Sequence, residues 1–172
     1  MNRHRKATSE QLVNALHTLG VDFIMGGSNE NASMSQSPAQ MIAALAKHNE
    51  ARLRLSLIPL FLEHPEFSKQ AQETAKSLPE KARLFLQCYY SASVWLQKIH
   101  HTKLSKLTGK KALLPDLFSF ELGIPVTENP ETNLRLLAEQ HQKLSGEKVN
   151  WLGTYKHAAQ VFINGLELKH RG

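Results

Sequence analysis

Apolar residues recur between positions 78 and 99 at alternating steps of four and three: Leu78, Ala82, Phe85, Tyr89, Ala92, Leu96 and Ile99. That spacing predicts one apolar face of an amphipathic helix. A second stripe, Leu84, Cys88, Ser91 and Trp95, runs beside the first, with Leu86 and Tyr90 on its other flank. Only a narrow seam of Arg83, Gln87, Lys98 and His101 is plainly polar. A helix apolar over most of its circumference needs neighbours on several sides. The stretch from about 79 to 103 is therefore expected at the centre of a helical domain.

The other elements follow from cap and stop signals. Thr8 and Gln11 make a capping box before a helix carrying Leu12, Val13, Leu16 and Leu19, with Gly20 as its stop. Val21 to Met25 reads as a short strand, and Ser28 to Ser37 as a polar linker. Ser37-Pro38-Ala39-Gln40 opens a helix with Met41, Ile42, Leu45 and His48 inward. Glu50 to Glu63 reads as the next helix, bent or broken at Pro59. A turn at His64-Pro65-Glu66-Phe67 leads into a more polar helix ending near Lys76, and Ser77-Leu78-Pro79-Glu80 caps the central one. Leu117 to Leu122 is a short apolar element, too small to be stable alone, that must dock on the bundle or on another chain. Asn129-Pro130 starts a helix closed by Gly146, and Asn150 one with Trp151, Tyr155, Ala159, Phe162 and Leu166 at i, i+4 spacing. The expected fold is all-α, a multi-helix bundle or orthogonal array. Residues 1–36 form an N-terminal appendage and residues 37–172 the helical domain.

Composition changes this picture little. A chain of 172 residues, 41% hydrophobic, can bury roughly 70% of its unfolded surface. No apolar run approaches the roughly 20 residues of a membrane span, and no secretory signal pattern follows the basic start. The single cysteine, Cys88, excludes an internal disulfide and fits a core position in a cytoplasmic protein.

Charge changes it more. The net charge is +6, and between Glu80 and Asp116 there is no acid, while Lys81, Arg83, Lys98, Lys103, Lys106, Lys110 and Lys111 lie there. On one continuous helix Lys103, Lys106 and Lys110 would fall within about 60° of one another, close enough to track a phosphate backbone. Lys98, Lys103, Lys106, Lys110 and Lys111 are the candidate binding residues for an acidic partner or, non-specifically, for nucleic acid.

Catalytic and metal chemistry find little support. The nine histidines include no i, i+4 pair, so no metal site is expected, and His48, His64, His141 and His157 read as surface or boundary residues. No nucleophilic triad, glycine-rich phosphate loop or cofactor motif can be assembled. Tyr89, Tyr90, Trp95, Trp151 and Tyr155 are expected to pack the core.

Two stretches carry resemblances. Ala15 to Ser28, ending in Gly26-Gly27-Ser28, resembles the opening helix, strand and Gly-Ser turn of the minimal nucleotidyltransferases of toxin–antitoxin pairs. That family places paired metal-binding acids shortly downstream. Here Asn29 to Ala39 holds Glu30 alone, so the resemblance implies a chain that has lost that catalysis. Arg135-Leu136-Leu137-Ala138-Glu139-Gln140-His141 has the Arg-to-His spacing of the higher eukaryote and prokaryote nucleotide-binding helical domains, with Leu136 where a polar residue is usual. It implies Arg135 and His141 as RNA-cleaving residues. The leading expectation is a non-enzymatic helical binding protein whose partner is another protein or a second copy. The alternative is a toxin–antitoxin-type RNA- or nucleotide-directed enzyme using Arg135 and His141.

Overall fold

The computed structural model describes residues 8–22 and 36–171. Among them lie ten α-helices and no strand. They are α1 (Ser9–Thr18), α2 (Pro38–Lys47), α3 (Ala51–Leu55), α4 (Leu57–Glu63), α5 (Ser68–Ser77), α6 (Glu80–Ile99), α7 (His101–Thr108), α8 (Ser119–Leu122), α9 (Pro130–Ser145) and α10 (Trp151–Arg171). The fold is all-α. Of the expected strand, Val21 and Asp22 are irregular coil, while residues 23–25 and nearly all of the polar linker lie outside the described residues.

α6 is the axis of the molecule. Every residue from Phe85 to Gln97 is buried, because α2, α4, α5, α9 and α10 all pack against this one helix. The polar seam expected along it is open only at its ends, where Lys98 and His101 are exposed and Arg83 is half-buried. Gln87 is as buried as the apolar face, under a segment that returns across it from residue 112 onward. The helix also ends sooner than its pattern suggests. His100, at φ −105° and ψ 21°, turns the chain after Ile99, and α7 starts in a new direction.

Pro59 breaks the 50–63 helix one turn upstream of itself. In a continuous helix the Leu55 carbonyl would need the N–H that proline lacks, and the proline ring would crowd that carbonyl. The chain instead restarts at Ser56, whose hydroxyl donates back to the Leu53 carbonyl at 2.5 Å. Pro59 then sits in the first turn of α4, where no N–H is required.

α1 packs against α2 and α3, and Leu12, Val13, Leu16 and Val21 join the common core. Two of the three expected capping signatures, at Thr8 and Ser37, are formed. The third is not, because Pro79 is the N-cap of α6 and the Ser77 hydroxyl donates back to the Thr74 carbonyl at 3.1 Å. Two further bonds tie α1 down: Ser9 donates to Glu50, and a His64 ring nitrogen lies 2.6 Å from the Leu19 carbonyl oxygen. Leu16→Ala is accordingly expected to lower stability by about 2–5 kcal/mol in urea unfolding. A cost under about 0.5 kcal/mol would show that α1 contributes nothing to the core.

Candidate functional site

The five candidate lysines do not form one face. Gly109, at φ +71°, ends α7 at Thr108, so Lys110 leaves the helix that was to align it with Lys103 and Lys106, and Lys111 follows it. Lys110 turns back to α4, where its ammonium donates to the Glu63 carbonyl and lies 4.0 Å from the Glu63 carboxylate. Burial pushes the Glu63 carboxyl above its ordinary pKa, against the pull of Lys110. Lys103 pairs with Glu167 of α10 at 2.9 Å. Lys98 sits 5.1 Å from the Trp95 ring centre. Lys106 and Lys111 have no carboxylate partner among the described residues. The sequence contains no acid in this run, but the fold carries Glu63 and Glu167 in from α4 and α10. The free positive charge shrinks accordingly.

Arg135 and His141 are not brought together. Six residues apart on α9, they point about 120° away from each other. Arg135 lies on the surface and pairs with Glu139 at 3.0 Å. His141 is wholly buried, contrary to the surface or boundary position expected of it. Its ring stacks on Trp151 at 3.6 Å and meets Phe85 and Tyr89 edge-on. Burial holds its pKa down at about 3, so the imidazole is neutral near pH 7. Its Nδ1 lies 2.5 Å from the Tyr155 hydroxyl. Burial also pushes the ionisation of the Tyr155 phenol up. General acid–base work needs both groups within reach of one reacting atom. This geometry offers none.

A different feature, only half visible in the sequence, is the segment between α7 and α9. It crosses α6 as irregular chain interrupted by the single turn of α8, with Leu114, Phe118, Leu122 and Ile124 buried. Side chains from the bundle hold it in place. Gln97 donates to the Ala112 carbonyl at 2.9 Å and accepts from the Leu114 N–H at 2.7 Å. Tyr90 donates to the Pro115 carbonyl at 2.8 Å, Gln87 to the Glu121 carboxylate at 2.9 Å, and Gln140 to the Leu122 carbonyl at 2.8 Å. Asp116 accepts from the Ser119 N–H at 3.2 Å, fixing the start of α8. On this fastened turn Phe120 stands 97% exposed. The sequence placed Leu117–Leu122 against the bundle or another chain; the fold buries Phe118 and Leu122 and leaves Phe120 outside.

Among the described residues no cluster of His, Cys, Asp or Glu is arranged to hold a metal ion, and no helix is long and apolar enough to cross a membrane. Cys88 is buried, and its thiol is pushed well above its ordinary pKa by desolvation. No protein-family model matches the chain, and no curated protein or solved structure is significantly similar to it.

Proposed function

We propose that this chain is a non-enzymatic helical binding protein acting through protein–protein contact, with Phe120 as its anchor and a second copy of itself as its partner. The observation that carries the reading is a fully exposed phenylalanine on a segment that five side chains hold still. A large aromatic ring in water neither stabilises the fold nor aids solubility, whereas a pre-positioned one binds without first being ordered. The charge pattern favours a second copy. Residues 116–128 contain Asp116, Glu121 and Glu128 and no base, while residues 98–111 contain five lysines and no acid. In a two-fold contact each acidic segment would meet the partner's Lys106 and Lys111, and the same pairing would repeat on the other side. The inert, buried Cys88 suits a reducing cytoplasm.

Sedimentation velocity of the intact protein against Phe120→Asp tests this. The unaltered chain is expected to dimerise, and the variant to do so at least about tenfold more weakly with its melting temperature unchanged, as loss of a central aromatic anchor implies. Rising salt should weaken the dimer through Lys106 and Lys111. A strictly monomeric protein that instead binds a polyanion with a steep salt dependence would replace this reading with that of an anion-directed surface.

A further inference from the structure

The segment that crosses α6 has two dissimilar ends. Gln97 bonds its backbone at Ala112 and Leu114, and Gln87 bonds the Glu121 carboxylate. The two glutamines stand ten residues apart on α6, which separates the ends by about 15 Å along the helix axis.

At the Gln97 end Leu114 turns into the core, and its neighbour Leu113 is left 55% exposed. Beside it comes Lys111, exposed and without a carboxylate partner among the described residues. At the Gln87 end Phe118 and Leu122 turn inward, and Phe120 stands out between them next to the exposed Glu121. Arg83, one turn along α6 from Gln87, is directed elsewhere, since its guanidinium donates to the Ala75 and Leu78 carbonyls. One end is therefore aliphatic and basic, the other aromatic and acidic.

A two-fold axis over the middle of the segment lays each end on the opposite end of a second copy. We propose that in such a dimer Phe120 packs on Leu113 of the second copy and Glu121 meets its Lys111, each contact being made twice. The pairing rests on the reading of Phe120 as the anchor of self-association, and it fixes which surface receives that ring. An axis through Phe120 would instead stack the two rings. That arrangement brings the two Glu121 carboxylates together and leaves Leu113 in water, so charge and burial both disfavour it. Gln97, Tyr90 and Gln87 already hold the segment, and little ordering opposes the contact.

Sedimentation velocity of Leu113→Lys, of Phe120→Glu and of their equimolar mixture tests the pairing. Both positions are exposed, so each variant should keep the melting temperature of the unaltered chain. Alone, each should dimerise at least about tenfold more weakly, because a charge faces an apolar side chain at both contacts. In the mixture one contact is the native phenylalanine on leucine. The other sets the introduced lysine against the introduced glutamate. A one-to-one heterodimer should therefore form at least about tenfold more tightly than either variant with itself. Leu113→Lys dimerising as tightly as the unaltered chain would overturn the pairing and leave Phe120 anchored elsewhere. So would a mixture that associates no more tightly than the separate variants. A monomeric unaltered chain would remove the pairing together with the reading of Phe120 on which it rests.

Discussion

Acidification from pH 6.5 to pH 3 should remove roughly 4–5 kcal/mol of folding stability through His141 alone. Desolvation inside the aromatic cluster lowers its folded pKa to about 3, from 6.5 in the unfolded chain. Between these values the unfolded state binds a proton that the folded state refuses. Stability therefore rises with pH across the window, is complete above pH 6.5, and falls by about 1.4 kcal/mol per unit on the way down. His100, lowered chiefly by burial, acts in the same direction. Most carboxylates titrate below pH 5, so urea melts at pH 7 and pH 5 isolate the histidine effect, a loss of about 2 kcal/mol for His141. In His141→Gln that difference should largely vanish, although the variant starts from a lower stability. Parallel pH profiles for the two proteins would show that His141 is not the group responsible. Trp151, stacked on the imidazole, provides a fluorescence signal for the same event.

Gln97→Leu is the second large effect. The substitution is close in volume and keeps an apolar stem under the 112–114 backbone. It removes the group that satisfies both the Ala112 carbonyl and the Leu114 N–H. Leaving both without a partner should cost about 2–4 kcal/mol. Amide exchange should quicken first in residues 112–122, because the Tyr90, Gln87 and Gln140 bonds each hold a more distant part of the same segment. If Phe120 anchors self-association, a looser segment also weakens the dimer, since the partner must then order what Gln97 had fixed. A variant with unchanged stability and unchanged exchange at Leu114 would mean that the amide does not hold the segment.

Helix identity was legible in most places where a local signal decided it, the cap read at Ser77 being an exception because that hydroxyl bonds the preceding helix instead. Thr8, Ser37 and Asn129 each cap the helix they were read to cap, and Gly109, Gly123 and Gly146 end theirs in the left-handed region. Each is a bond or a torsion within a few residues of sequence. Long-range effects were not legible. Nothing in the run from 98 to 111 says that Glu63 and Glu167 will arrive beside Lys110 and Lys103, so the basic stretch looked larger than the surface it makes. Gln87 read as part of a polar seam because its polarity is local, whereas the Glu121 carboxylate it bonds belongs to a later segment. His141 falls i+4 and i+7 from Leu137 and Leu134, so periodicity placed it on the apolar face of α9. Its polarity argued for a boundary position, because Trp151 and Tyr155, which enclose it, lie one helix further on.

The sequence by itself determined an all-α chain with one helix too apolar to face water. Periodicity and capping act over one or two turns and need no partner to be recognised. Only the tertiary structure decided which polar groups that helix would keep, which lysines would stay free, and that a single phenylalanine would be held out in solvent. Those outcomes depend on which distant carbonyl, carboxylate or ring comes to lie alongside, and packing alone sets that.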